Sequence, residues 1–232
     1  LNLMYPSMNQ KMQEGLVNAY KESGFLPEWA SPGHRDCMVG NNSASVVADA
    51  YIKGLRGYDI ETLWEALKHG ANAHLRGTAS GRLGYESYNQ LGYVANNIGI
   101  GQNVARTLEY AYNDWAIYTL GKKLGKPESE IDIYKKHALN YQNVYHPERK
   151  LMVGKDNKGV FNPNFDAVDW SGEFCEGNSW HWSFCVFHDP QGLINLMGGK
   201  KEFNAMMDSV FVIPGKLGME SRGMIHEMRE MQ

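Results

Sequence analysis

Apolar residues recur at helical spacing along most of this chain, and most of these runs close on a glycine. In "MNQKMQEGLVNAYKESG", Met12, Leu16 and Ala19/Tyr20 share a face, and Gly24 ends the run. "SASVVADAYIKG" repeats the pattern with Val46, Val47, Ala50 and Tyr51 before Gly54. In "YDIETLWEALKHG", Asp59 is placed to cap, Ile60, Leu63, Trp64 and Leu67 form one face, and Gly70 marks the stop. The longest run, "QNVARTLEYAYNDWAIYTLGKKLG", carries Val104, Leu108, Ala111, Trp115 and Tyr118, with lysines in its last turn where they suit the helix dipole. "SEIDIYKKHALNYQNVY" follows, with Ser129 as cap and Asp132 three residues on. Asp189-Pro190 reads as cap and first helical residue of "DPQGLINLMGG", and "KKEFNAMMDSVF" gives a further short helix.

Strands are scarce. Short extended pieces around Met152–Val153 and Val210–Ile213 are the candidates, and the remaining connectors, such as "RGTASGRLGYESYNQLGYVANNIGIG", are rich in Gly and Asn. The fold class expected is therefore all-α: helical hairpins of an α/α toroid or solenoid, with long polar loops that carry function at one end. No fixed-period sequence repeat is visible. One domain over residues 1–232 is expected, as an incomplete segment. The chain opens on Leu1 rather than Met, and "RGMIHEMREMQ" begins a helical pattern of Met224, Ile225, Met228 and Met231 just before the last residue.

Charge and cysteine content exclude several functions. A formal charge of −3, with both signs spread along the chain, leaves no basic footprint for nucleic acid, and no apolar run approaches a bilayer span. Cys37, Cys175 and Cys185 have no metal-ligand spacing and read as buried free thiols, although a Cys175–Cys185 bridge stays open. His181 and His188, seven apart, are too distant on a helix to share a zinc ion simply. There is no nucleophile elbow and no phosphate-cradling glycine loop.

Three clusters could carry chemistry. In "EFCEGNSWHWSFCVFHDPQG", Glu176 stands beside Asn178, Trp180 and Trp182. Tryptophans that strip water from a carboxyl group favour its protonated form, as a general acid near neutral pH requires, and rings with amides and acids also suit a sugar. The plainer alternative is that Glu176 caps the following helix. In "GHRDCMVGNNSAS", His34, Arg35, Asp36, Asn41 and Asn42 either line a polar pocket or form a capping segment with an exposed His-Arg pair. In "EYAYNDW", Glu109, Tyr112 and Asp114 lie on an aromatic helix, where acidic groups more often pair with a neighbouring helix than catalyse.

Taken in order, these stretches closely resemble the glycoside hydrolase family 92 α-mannosidases. "LPEWASPGHRDCMVGNNSASVVADAYIKG" is similar to that family's loop preceding a "SVIADA"-like helix, and "ARTLEYAYNDWAIYTLGKKLG" to its "SKTLEYAYDDW" helix. "EGNSWHWSFCVFHDPQGLINLMGGKKEFNAMMDSVF" resembles its "EGNAWQY…PHDVQGLIDLMGG" block, and "IHEMREM" the segment before its "GQYAHGNQP" motif. The resemblance implies calcium-dependent, exo-acting, inverting hydrolysis of α-mannosides on an (α/α)6 domain behind a β-sandwich. The glutamate of the family's EGN motif is its general acid, which assigns that role to Glu176. Asn178 and Trp180 match the rest of the motif, and His181 stands where many members have Gln. His34, Arg35, Asn41 and Asn42 are the further substrate-binding candidates.

The chain lacks the family's "GN(D/E)DCGQMSAW" base motif, its "HGNQP" motif and its upstream "WDT(F/Y)R" segment. It therefore corresponds to the middle of a catalytic domain, with the acid present and the base and calcium ligands mostly elsewhere. The expected partner is an α-mannoside oligosaccharide or N-glycan, α-1,2-linked mannose foremost, although these residues do not decide the linkage. Family habit implies a periplasmic or extracellular protein. Two rivals stand beside this reading: a noncatalytic carbohydrate-binding or scaffold derivative, and an unrelated (α/α)6 glycosidase or lyase.

Overall fold

The computed structural model describes residues 2–30 and 33–214. The helical pattern read at 222–232 lies outside these. Among the described residues the α-helices run α1 (Pro6–Ser23), α2 (Ser43–Ile52), α3 (Ile60–Ala71), α4 (Tyr85–Leu91), α5 (Asn103–Leu124), α6 (Glu128–His137), α7 (Ser179–Trp182), α8 (Pro190–Leu196) and α9 (Lys200–Val210). A 3-10 turn at Asn140–Val144 leads into an antiparallel ribbon of β1 (Tyr145–His146) and β2 (Leu151–Met152), with Tyr145 opposite Met152. This is a helical protein with little strand.

Several ends follow the expected chemistry. Gly24 adopts a left-handed φ of 78° and its N–H returns to the Tyr20 carbonyl, closing α1. The Asp59 carboxylate accepts from the Thr62 N–H at 3.0 Å to start α3. Asp189 does the same for Gly192 at 2.9 Å in α8.

Other expectations need correction. Gly70 does not stop α3, which continues to Ala71 with Asn72 as its C-cap. Ser129 does not cap α6: it lies inside the helix, and Pro127 holds the cap position without a side-chain hydrogen bond. Val210–Ile213 is not extended, because Val210 ends α9 and turns follow. The connector at 76–101 contains α4, seven residues bracketed by left-handed Gly84 and Gly92. In α1, Leu16 and Tyr20 pack against the core as expected, but Met12 is 47% exposed and the fully buried residues are Asn9, Gln13 and Val17. Gln13 donates to Asn9 at 3.1 Å, so that face is partly polar.

The contacts divide into two compact units, Leu1–Gly92 with Glu109–Asn140, and Tyr93–Leu108 with Tyr141–Gln232. The first holds a core of Val17, Leu26, Val47, Leu63, Trp64, Leu67, Ile117, Leu120 and Ile131. α3 and α6 are also tied by Glu130, which accepts from Trp64 Nε1 at 2.8 Å and Lys68 Nζ at 2.7 Å. The same unit buries an ion pair completely: Arg82 and Asp114 meet at 2.8 Å with side chains 1% and 0% exposed. Arg82 Nε also donates to Asn41 Oδ1 at 2.8 Å, and the Tyr88 hydroxyl donates to Asp114 Oδ2 at 2.9 Å. Asp114 thus pairs within the fold, as expected for an acid on an aromatic helix face.

All three cysteines are free, but Cys175 alone is buried; Cys37 and Cys185 are half-buried. No helix among the described residues is long and apolar enough to cross a membrane.

Candidate active site

In the second unit the loop at 171–178 is held from several sides. α7 hangs from β2 through two buried serines: Ser179 Oγ donates to the Met152 carbonyl at 2.7 Å, and the Met152 N–H donates to Ser183 Oγ at 2.8 Å. Asn178 caps α7, its side-chain oxygen accepting from the Trp180 and His181 N–H groups at 3.0 and 3.4 Å. His181 Nδ1 accepts in return from the Asn178 N–H at 3.2 Å, completing a capping box. Glutamate or glutamine normally fills that return position, so His181 keeps the contact that a Gln there would make.

Gly177 packs tightly against α7. A Cβ there would lie 3.2 Å from Trp182 Nε1 and 3.3 Å from its Cδ1. The same indole donates to the Cys175 carbonyl at 2.8 Å, and the Ser171 N–H donates to the Gly177 carbonyl at 2.9 Å. Between these anchors Glu176 adopts a left-handed φ of 47° and its side chain is exposed. Two sequence expectations change here. Glu176 is not the cap of the following helix, since Asn178 is. Nor is Glu176 enclosed by the tryptophans, since it is exposed. Trp180 is half-buried.

In the first unit the "GNNS" turn is an internal scaffold. The Asn41 N–H donates to Asn113 Oδ1 and Asn113 Nδ2 donates to Asn42 Oδ1, both at 2.8 Å. Asn41 is only 1% exposed, whereas Asn42 is exposed. α2 is capped from a distance by Glu28, whose carboxyl accepts from the Ser43 N–H at 2.9 Å and its hydroxyl at 2.7 Å. Burial pushes the Glu28 pKa up to about 7, against those two hydrogen bonds, which pull it down. Glu109 lies against the turn: a Cβ on Gly40 would meet Glu109 Oε2 and Asn42 Nδ2, each at 2.9 Å. Burial raises its pKa as well, opposed by a hydrogen bond from Asn42. His34 uses both ring nitrogens, contacting Ser80 Oγ at 2.6 Å and Ser23 Oγ at 2.9 Å. Arg35 is exposed and its carbonyl accepts from the Ala79 N–H at 2.8 Å.

The first unit therefore brings Asn41 and Asn42 together with Glu28 and Glu109, and the second brings Asn178 together with His181. Glu28, Arg82 and Glu173 escaped the sequence reading. Their partners lie far along the chain, and neither Glu28 in "LPEWASPG" nor Glu173 in "SGEFCEGN" carries a spacing signal. Among the described residues, no three His, Cys, Asp or Glu side chains gather to hold a metal.

The second unit thus presents an exposed acid, Glu176, on a loop anchored at Ser171–Gly177 and by the Asn178 capping box, within a helical scaffold. The glycosyl hydrolase family 92 catalytic domain matches residues 1–231. The chain belongs to that family. Among solved structures it is similar to a family 92 inverting mannosidase from Bacteroides thetaiotaomicron, with 45% identity and a TM-score of 0.86, covering 97% of this chain and 30% of that one. It is also similar to a family 92 α-mannosidase from the same organism in complex with mannoimidazole, with 31% identity, a TM-score of 0.83, and 91% and 28% coverage. A secreted glycosidase of Arthroderma benhamiae, itself uncharacterised, is 30% identical over 226 residues, 83% of this chain and 29% of that protein. The chain thus spans under a third of the length of these relatives. Membership removes the reading as an unrelated (α/α)6 glycosidase or lyase.

Proposed function

We propose that this chain acts within an inverting, exo-acting, calcium-dependent α-mannosidase, and that Glu176 is its general acid. The helices would form part of an (α/α)6 toroid. The substrate would be an α-mannoside oligosaccharide or N-glycan, with α-1,2-linked mannose the first to test. An exported protein accords with the secreted relative. The observation that carries the reading is Glu176 itself: the one residue of the EGN motif whose side chain is exposed, while Gly177 and Asn178 are spent on holding its loop.

In the reaction, the Glu176 carboxyl gives its proton to the glycosidic oxygen as the bond to the anomeric carbon breaks. A second carboxylate roughly 6.5–9.5 Å away activates water on the opposite face of the ring. That base is expected in the motif absent from this sequence. Calcium in the complete site would bind sugar hydroxyls. The 232-residue chain alone should therefore leave aryl α-mannosides intact, and calcium-dependent turnover by a homogeneous sample of it would overturn that expectation.

The decisive test is Glu176→Gln in the full-length protein containing this chain. The amide keeps the shape and delivers no proton, so turnover of mannobiose should fall about 10²–10⁴-fold with binding retained. An activated aryl mannoside, whose leaving group needs little protonation, should lose far less. Equal losses on both substrates would remove Glu176 from the acid role. Unchanged activity on both would favour a noncatalytic, structural role.

A further inference from the structure

The acid loop is held by a second glutamate three residues before Glu176. The Glu173 side chain gathers three donors from separate segments. Gly154 N–H reaches Oε2 at 2.9 Å, and Asn96 Nδ2 and Asn162 Nδ2 each reach Oε1 at 3.2 Å. Its backbone is bound as well: the Glu173 carbonyl accepts from the Val104 and Ala105 N–H groups at 3.0 and 3.2 Å, in the first turn of α5. The preceding Gly172 carbonyl accepts from the Gln102 N–H at 2.8 Å. One residue thus ties the loop to the start of α5, to the 93–101 connector and to the segment after β2.

Gly154 makes this approach possible. A Cβ at that position would sit 2.1 Å from Glu173 Oε1 and 2.8 Å from Asn103 Nδ2, closer than real contacts allow. The loop also has room to move once released. A cavity of about 140 Å³, lined in part by Asn162, Asp166, Asp169, Ser171 and Glu173, lies against it. Without its side-chain anchor the segment can settle into that space, and the left-handed backbone at Glu176 favours such relaxation.

We propose that Glu173 is the positioning residue for Glu176, fixing the loop that presents the acid. The proposal rests on the assignment of Glu176 as general acid, and a double-mutant cycle in the full-length protein separates the two. A misplacement near 1 Å costs about 10²-fold. Glu173→Ala should therefore lower kcat on mannobiose about 10- to 100-fold, with KM little changed and the aryl mannoside less affected. Glu173→Gln, which retains one acceptor oxygen, should recover part of the loss. In a Glu176→Gln background, adding Glu173→Ala should cost less than about 3-fold, because residues acting through one group are not additive.

Gly154→Ala attacks the same contact from the other side and should reproduce the leaving-group pattern. It carries the test, with Glu173→Gln, if Glu173→Ala does not fold. Additive losses in the cycle would overturn the positioning role while leaving Glu176 as the acid. Parental mannobiose turnover in Glu173→Gln and Gly154→Ala would overturn it too. If Glu176→Gln shows no dependence on leaving group, the acid assignment itself has failed, and the positioning role falls with it.

Discussion

Replacing Asp114 by Asn tests how the first unit bears a charge it has fully enclosed. Arg82 and Asp114 meet at 2.8 Å with side chains 1% and 0% exposed, so neither has water as an alternative partner. The substitution is isosteric. Its oxygen can still accept from Arg82. The Tyr88 hydroxyl, which donates to Asp114 Oδ2 at 2.9 Å, retains the His137 carbonyl at 3.2 Å. What disappears is the negative charge paired at 2.8 Å, leaving the guanidinium buried without its ion partner. Breaking a buried pair from one side costs about 3–5 kcal/mol. That is roughly a hundred- to several-thousand-fold in the folding equilibrium, out of a total of about 5–15 kcal/mol. In urea, with a slope of about 1–3 kcal/mol/M, the midpoint should fall by about 2 M. Arg82→Met together with Asp114→Leu should recover much of the loss, since no lone charge remains. A cost below about 1 kcal/mol for Asp114→Asn would refute the reasoning.

Two other perturbations address the same unit. Burial pushes the Glu28 pKa up to about 7 from an ordinary 4.5, so the folded state holds more protons between those values, and its contribution falls as pH rises from about 4.5 to 7. Glu28→Gln, which can accept from the Ser43 N–H and donate to its hydroxyl, should flatten that slope. A stability difference from the parent that is the same at pH 4.5 and pH 8 would contradict this. At Gly121 a methyl group would sit 2.6 Å from Ile131 Cγ2 and 2.8 Å from Trp64 Cη2, both in the core. Overpacking of about 1–3 kcal/mol should outweigh the gain of about 1 kcal/mol in helix propensity, so Gly121→Ala should lower the melting temperature.

How much was legible in the sequence depended on how local each signal was. Gly24, Asp59 and Asp189 act on residues within four positions, and their helix ends read correctly. α4 was hidden because its seven residues offer barely two turns between glycines. Val210, Val212 and Ile213 are β-branched, which suggested a strand, but α9 runs to Val210 and turns follow. The buried face of α1 was legible in part: Leu16 and Tyr20 pack against the core, but Met12 is left to solvent while Asn9 and Gln13 lie inside, joined by one hydrogen bond. In the EGN motif, the sequence did not show that Asn178 rather than Glu176 would cap α7. Glu173 lies 77 residues from Asn96 and 19 from Gly154, and Glu28 lies 15 from Ser43, distances at which no sequence pattern announces a hydrogen bond.

The left-handed backbone at Glu176 has an evolutionary consequence. A φ of 47° costs a glutamate about 1–2 kcal/mol that glycine does not incur and asparagine incurs less. As long as the carboxyl group is needed, selection holds the strained residue in place. Once it is not, drift has a downhill path at this codon. Family members that have abandoned hydrolysis while keeping this scaffold should therefore accumulate Gly or Asn where Glu176 stands, and become slightly more stable as they do so. If the proposed acid role holds, relatives that hydrolyse should keep Glu here, and a survey of active members carrying Gly or Asn at this position would contradict it.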